Sequence, residues 1–89
     1  MALTFLRHIR GWDLRRNLIT FVGEDGVNAM PCAISMEALI EHFGAGKGSK
    51  QACLAAFDRW QSAIQQKASD KYDAQNRIGP VLLRAADFP

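Results

Sequence analysis

The clearest alternation of apolar and polar positions lies between Pro31 and Gly44. Cys32, Ala33 and Ile34 form an apolar strand end that runs into Ser35. Met36, Leu39, Ile40 and Phe43 follow at i, i+3, i+4 and i+7, the spacing of one helix face. Ser35 is a good N-cap, because its hydroxyl can accept from an unpaired first-turn amide. Glu37 falls in the first turn, where the helix dipole favours negative charge. Gly44 is suited to the left-handed position just past the helix. The pattern predicts a strand that passes directly into a short helix.

Upstream, Asn17 to Gly23 is rich in β-branched and aromatic residues and reads as a strand. Glu24-Asp25-Gly26 reads as a turn, and Val27 to Ile34 as the returning strand. Alternation places Ile19 and Phe21 on one face with Met30, Cys32 and Ile34. Leu18, Val22, Val27 and Ala29 fall on the other. Both faces are apolar, so the second also calls for a cover. Pro31 cannot donate to a ladder and points to an edge or a bulge. Leu3 to Leu6 reads as a short first strand. Arg7 to Arg16 reads as a wide turn, with Gly11 as punctuation and Trp12 as an anchor.

Downstream, Ala45 to Gly48 is a flexible link and Ser49 a second N-cap. Cys53, Phe57, Trp60, Ile64, Ala68 and Tyr72 hold helical spacing, with Leu54 widening the stripe, so one long helix is predicted over residues 50–72. Asn76 to Pro80 breaks it, and Val81 to Ala85 reads as a last strand. The expected fold is α+β, a small, mainly antiparallel sheet in the order β-β-β-α-α-β with two helices packed on one face. Residues 1–89 form a single domain.

Composition narrows the function classes. At 48% apolar and 22% charged residues the chain is an ordinary globular one. It is small enough that burying a further surface against a partner would add to a modest core. No apolar run approaches the ~20 residues of a membrane span. Arg7, His8 and Arg10 interrupt the N-terminal apolar stretch early, which argues against a signal peptide. Cys32 and Cys53 form no CxxC pair, so the expectation is a reduced, cytoplasmic protein with no cofactor and no membrane association. The net charge of +2 is uneven. Arg7, Arg10, Arg15 and Arg16 face only Asp13 in the first quarter of the chain.

Candidate chemistry is thin. Ser35 lacks a nucleophile-elbow setting, and capping accounts for it. Buried free cysteines are usually packing residues. Glu37 and Glu41, at i and i+4, can converge on one helix face, but His42 points about 100° from Glu41, so an exposed acidic face is the reading rather than a metal set with Cys32. Gly44 to Lys50 has the ingredients of an anion loop but neither the spacing nor the preceding strand. Arg7, Arg10, Arg15 and Arg16, with Trp12 for base stacking, could contact nucleic acid, although no DNA- or RNA-binding signature accompanies them.

The residues Leu3-Thr4-Phe5, Trp12-Asp13, Ile19-Thr20-Phe21, Cys32-Ala33-Ile34-Ser35-Met36-Glu37-Ala38-Leu39 and Phe43-Gly44 together form a pattern. It resembles that of a small bacterial family known only as a domain of unknown function. Phe57, Arg59, Ile64 and Ala68 resemble its long second helix. The resemblance implies a compact α+β domain and brings no catalytic residues. Pro31 departs from the pattern.

Two expectations follow. The first is a non-enzymatic protein-interaction or regulatory domain that self-associates as a homodimer. Its interface would be the face carrying Leu18, Val22, Val27 and Ala29, or the edge beside Pro31. The alternative is a nucleic-acid-binding module that uses Arg7, Arg10, Trp12, Arg15 and Arg16.

Overall fold

The computed structural model describes residues 3–5 and 10–88. In chain order it forms β1 (Arg10–Asp13), β2 (Leu18–Asp25), β3 (Asn28–Ser35), α1 (Met36–His42), α2 (Lys50–Arg59), α3 (Gln61–Ala74) and β4 (Val81–Leu83), then a 3₁₀ turn at Ala85–Asp87. The strands lie in the order β1-β2-β3-β4. The first two pairings are antiparallel and the last is parallel. A parallel return requires a crossover, and the three helices supply it. The architecture is the expected α+β one.

The register confirms the inner face of the hairpin. Ile19 is opposite Ile34 and Phe21 is opposite Cys32. Those residues are buried in one cluster with Leu39, Phe57, Ile64, Tyr72, Val81 and Leu83. All the helices therefore share one side of the sheet. Gly23 also lies on that side, and a Cβ there would come within 2.9 Å of the Phe5 ring and 3.2 Å of Leu3. Its bare backbone lets the N-terminal segment cross closely. Thr4 and Glu24 exchange both backbone hydrogen bonds, at 2.9 and 2.8 Å. Tyr72 Oη donates to Asp25 Oδ2 at 2.9 Å and pins α3 to the end of β2.

Both predicted caps form. Ser35 Oγ accepts from Ala38 N, and Ser49 Oγ accepts from Ala52 N, each at 3.1 Å. Gly44 takes a left-handed φ of 71°.

Several boundaries differ from the sequence reading. The hairpin turn is the pair Gly26-Val27, one residue later than expected, because Asp25 pairs with Asn28. Gly26 has a φ of 63° at the first central position, which a glycine accepts without a Cβ clash. Arg10 to Asp13 is a strand, not a turn, while the expected strand at Leu3 to Leu6 contributes a single bridge at Thr4; Leu6 lies outside the described residues. The long helix breaks at Trp60, which caps α2 and opens α3 with φ −108°. Phe57 and Ile64 stay fully buried on either side of the break, while Trp60 turns outward against Phe43. The helix layer thus holds three helices rather than two. The last strand ends at Leu83, and Ala85 begins the 3₁₀ turn. That turn is held by His42 Nε2 to Ala85 O at 3.0 Å and by Lys71 Nζ to Asp87 Oδ2 at 2.8 Å.

β4 pairs only with Cys32, Ala33 and Ile34. Among the described residues, Asn28 to Pro31 therefore has no strand neighbour on that side.

Candidate interaction surface

Strand alternation sends Leu18, Thr20, Val22 and Glu24 of β2 to the side away from the helices. Their partners across the ladder are Ser35, Ala33, Pro31 and Ala29. Leu82 joins them from β4, opposite Ala33. No described element covers this side. Among the described residues Leu3, Val81 and Leu83 are buried on the inner side instead.

The outer face is hollow rather than flat. A concavity of about 660 Å³ is lined by Leu18, Thr20, Val22, Pro31, Ala33 and Leu82 of this face, with Arg16 and Pro80 at its rim, and also by Phe21, Met30, Cys32, Gly79 and Val81. Its lining is mostly hydrocarbon. Val22 is 48% exposed, in the middle of a central strand. Leu14, in the turn that also carries Arg16, is 71% exposed, and Ile78, just before the rim residues Gly79 and Pro80, is 69% exposed.

Three of the four expected interface residues, Leu18, Val22 and Ala29, do lie on this face. Leu18 is itself nearly buried there. Val27 is not on the face: it sits at the hairpin tip, fully exposed. The sequence reading missed Pro31, Ala33 and Leu82 as lining. Period-two alternation from Val22 through its pair with Pro31 would have found the first two.

The arginines are divided. Arg10 lies on the inner side, opposite Phe21. It makes a two-pronged ion pair with Asp58 of α2, at 2.6 and 2.8 Å. That hydrogen-bonded pair holds the Arg10 guanidinium above its ordinary pKa. Trp12 packs against the core from the same strand, with its Nε1 enclosed and without a hydrogen-bond partner among the described residues. Arg15 and Arg16 project from the β1–β2 turn, exposed. Arg16 Nε reaches Asp13 Oδ2 at 3.1 Å, and the backbone N–H groups of Arg15 and Arg16 also donate to Asp13. The Arg16 side chain, first, and these backbone donors hold the Asp13 carboxyl below its usual range. Arg7 lies outside the described residues.

Other candidate groups are structural in their contacts. Cys32 and Cys53 are buried and unpaired with each other. Burial pushes the Cys32 thiol up to about 11. Among the described residues no three His, Cys, Asp or Glu side chains gather as a metal site would need. No described helix is long and apolar enough to cross a membrane.

A family model for proteins of unknown function, DUF1488, matches residues 3–83. The chain belongs to the DUF1488 family. Its structure is similar to the 1.60 Å crystal structure of a DUF1488 protein of unknown function from Shewanella loihica PV-4. The two are 20% identical, with a TM-score of 0.69 over 93% of this chain and 90% of that one. That likeness concerns the fold. The comparison with curated proteins finds no match. The match spans all four strands and all three helices of this DUF1488 chain, so the sheet with its bare outer face lies within the family region.

Proposed function

We propose that this chain is a non-enzymatic protein-interaction domain with a regulatory role, that it self-associates, and that the outer face of its sheet is the contact surface. The observation that carries the reading is the apolar hollow around Val22, Pro31, Ala33 and Leu82, uncovered by any described element. Large contiguous apolar patches on small soluble proteins mark interaction sites. A mostly hydrocarbon lining, with Thr20 and Arg16 among its polar residues, suits shape-matched burial rather than bond-making chemistry. A two-fold contact is the simplest cover, since one self-complementary surface then buries itself.

Sedimentation equilibrium across the micromolar range tests this. The expected result is a monomer–dimer equilibrium that Val22→Asp shifts to monomer with an unchanged circular dichroism spectrum. A wild-type chain that stays monomeric at tens of micromolar would overturn it.

The nucleic-acid reading rests on Arg15 and Arg16, which remain exposed together at one end of the sheet even with Arg16 Nε on Asp13, whereas Arg10 is held by both oxygens of Asp58. Its test is titration with single- and double-stranded DNA and RNA at low salt. Phosphate contacts would give an affinity that falls steeply as salt rises, and a double Arg15→Ala, Arg16→Ala variant would flatten that slope.

A further inference from the structure

The outer face has a direction. At one end of β2 stands Arg16, at the rim of the hollow and 74% exposed. Asp13 engages its Nε, and a guanidinium has further N–H donors to offer. Arg15, also exposed, adds positive charge to the same turn. At the other end stands Glu24. It alternates to the outer side, whereas its neighbour Asp25 faces inward and receives the Tyr72 hydroxyl. Among the described residues the Glu24 carboxylate joins no ion pair. From Leu18 to Glu24 the strand runs about 20 Å, so the face is positive at one end, hydrocarbon in the middle and negative at the other.

We propose that two copies of this chain stack outer face to outer face with their β2 strands antiparallel, so that Arg16 of each pairs with the partner's Glu24. This rests on the reading of the outer face as a self-association surface and specifies its geometry. Two faces can be related by a two-fold axis along the strands or across them. An axis along the strands sets Arg16 against the partner's Arg16 and Glu24 against the partner's Glu24. Like charges brought together at an interface are strongly disfavoured. An axis across the strands turns both encounters into opposite-charge pairs, two per dimer by symmetry. It also brings together the exposed apolar tips. Leu14 lies beyond the Arg16 end and Val27 beyond the Glu24 end, 71% and 100% exposed. In the antiparallel stack Leu14 of one copy approaches Val27 of the other. Aligned packing of two sheets, with strands within about 30° of each other, is one of the two ordinary ways that sheets meet.

Charge exchange decides the matter. Arg16→Glu and Glu24→Arg, each alone, are expected to raise the dimer dissociation constant about tenfold or more, since each creates two like-charge pairs. Mixed in equal amounts, the two variants should recover wild-type association, because the first carries two acids and the second two arginines at the facing positions. Lys47→Glu, in the exposed α1–α2 link, changes net charge as Arg16→Glu does and should leave association unchanged. If both single variants dimerise like the wild type while Val22→Asp does not, the face is the interface but the antiparallel stacking is wrong. The stacking is equally overturned if the mixture fails to recover, or if Lys47→Glu weakens association as much as Arg16→Glu. A wild-type chain that stays monomeric, or a dimer that survives Val22→Asp, overturns both the stacking and the reading beneath it.

Discussion

The backbone N–H of Leu3 donates to Oγ of Ser69 at 3.0 Å, joining the start of the described chain to the middle of α3. Both residues are buried. Among the described residues Ser69 is the one polar residue in the otherwise apolar buried set, and its hydroxyl answers the Leu3 donor. Removing that acceptor strands a buried N–H. Ser69→Ala should therefore cost about 1–3 kcal/mol. Ser62→Ala, exposed on the same helix, should stay within about 0.5 kcal/mol. Urea denaturation of the two variants side by side is the measurement, and equal midpoints would show that the hydroxyl is dispensable.

Leu39 is fully enclosed between α1 and the sheet. Truncation to alanine leaves a cavity in a small core, and about 2–5 kcal/mol of stability should go with it. Ile40, its 38%-exposed neighbour, should lose clearly less on the same truncation. Denaturant midpoints rank the pair, and similar losses at the two positions would contradict the packing described here.

The Cys32 thiol is held protonated by burial, up to about 11 from an ordinary 9.0. In the unfolded chain it ionises at its ordinary value, so the folded state binds the proton more tightly between those two pH values. Stability should thus be full below pH 9 and decline as pH rises from about 9 towards about 11. Cys32→Ala should lose part of that alkaline decline. The same burial predicts slow reaction with thiol reagents in the native protein at neutral pH. Prompt stoichiometric labelling of Cys32 without denaturant would contradict it.

Much of the architecture was legible because its signals are local. Ser35 and Ser49 announce helix starts through the hydrogen bonds they make, and the Ile19-x-Phe21 and Met30-x-Cys32-x-Ile34 alternations report a face that is packed by helices. What escaped depended on distant partners. Arg10 to Asp13 resembles a loop because Gly11 and two charged residues surround a single aromatic, Trp12, with no apolar alternation. It is a strand because it lies along β2 and because Asp58, 48 positions away, receives its arginine. The break at Trp60 has no proline or glycine to announce it. It follows from Phe57 and Ile64 both facing the core while Trp60 meets Phe43. The sequence reading puts Val27 on the outer face because it starts the return strand one residue early. The strand begins at Asn28, so Val27 belongs to the turn, while Ala29 keeps its expected side. The outer face was visible as an apolar set, but its hollow shape and its opposite charged ends needed the register.

Among the described residues the short β4 leaves Asn28 to Pro31 as an unpaired border of the sheet, the kind of edge that can take up a strand from another chain. Pro31 interrupts the row of donors there, and no ladder can run through it unbroken. A strand arriving from another molecule meets a gap after a few residues and gains little by staying. Pro31 thus works against strand addition along that edge, and it leaves the proposed face-to-face contact of the sheets as the way two copies would meet.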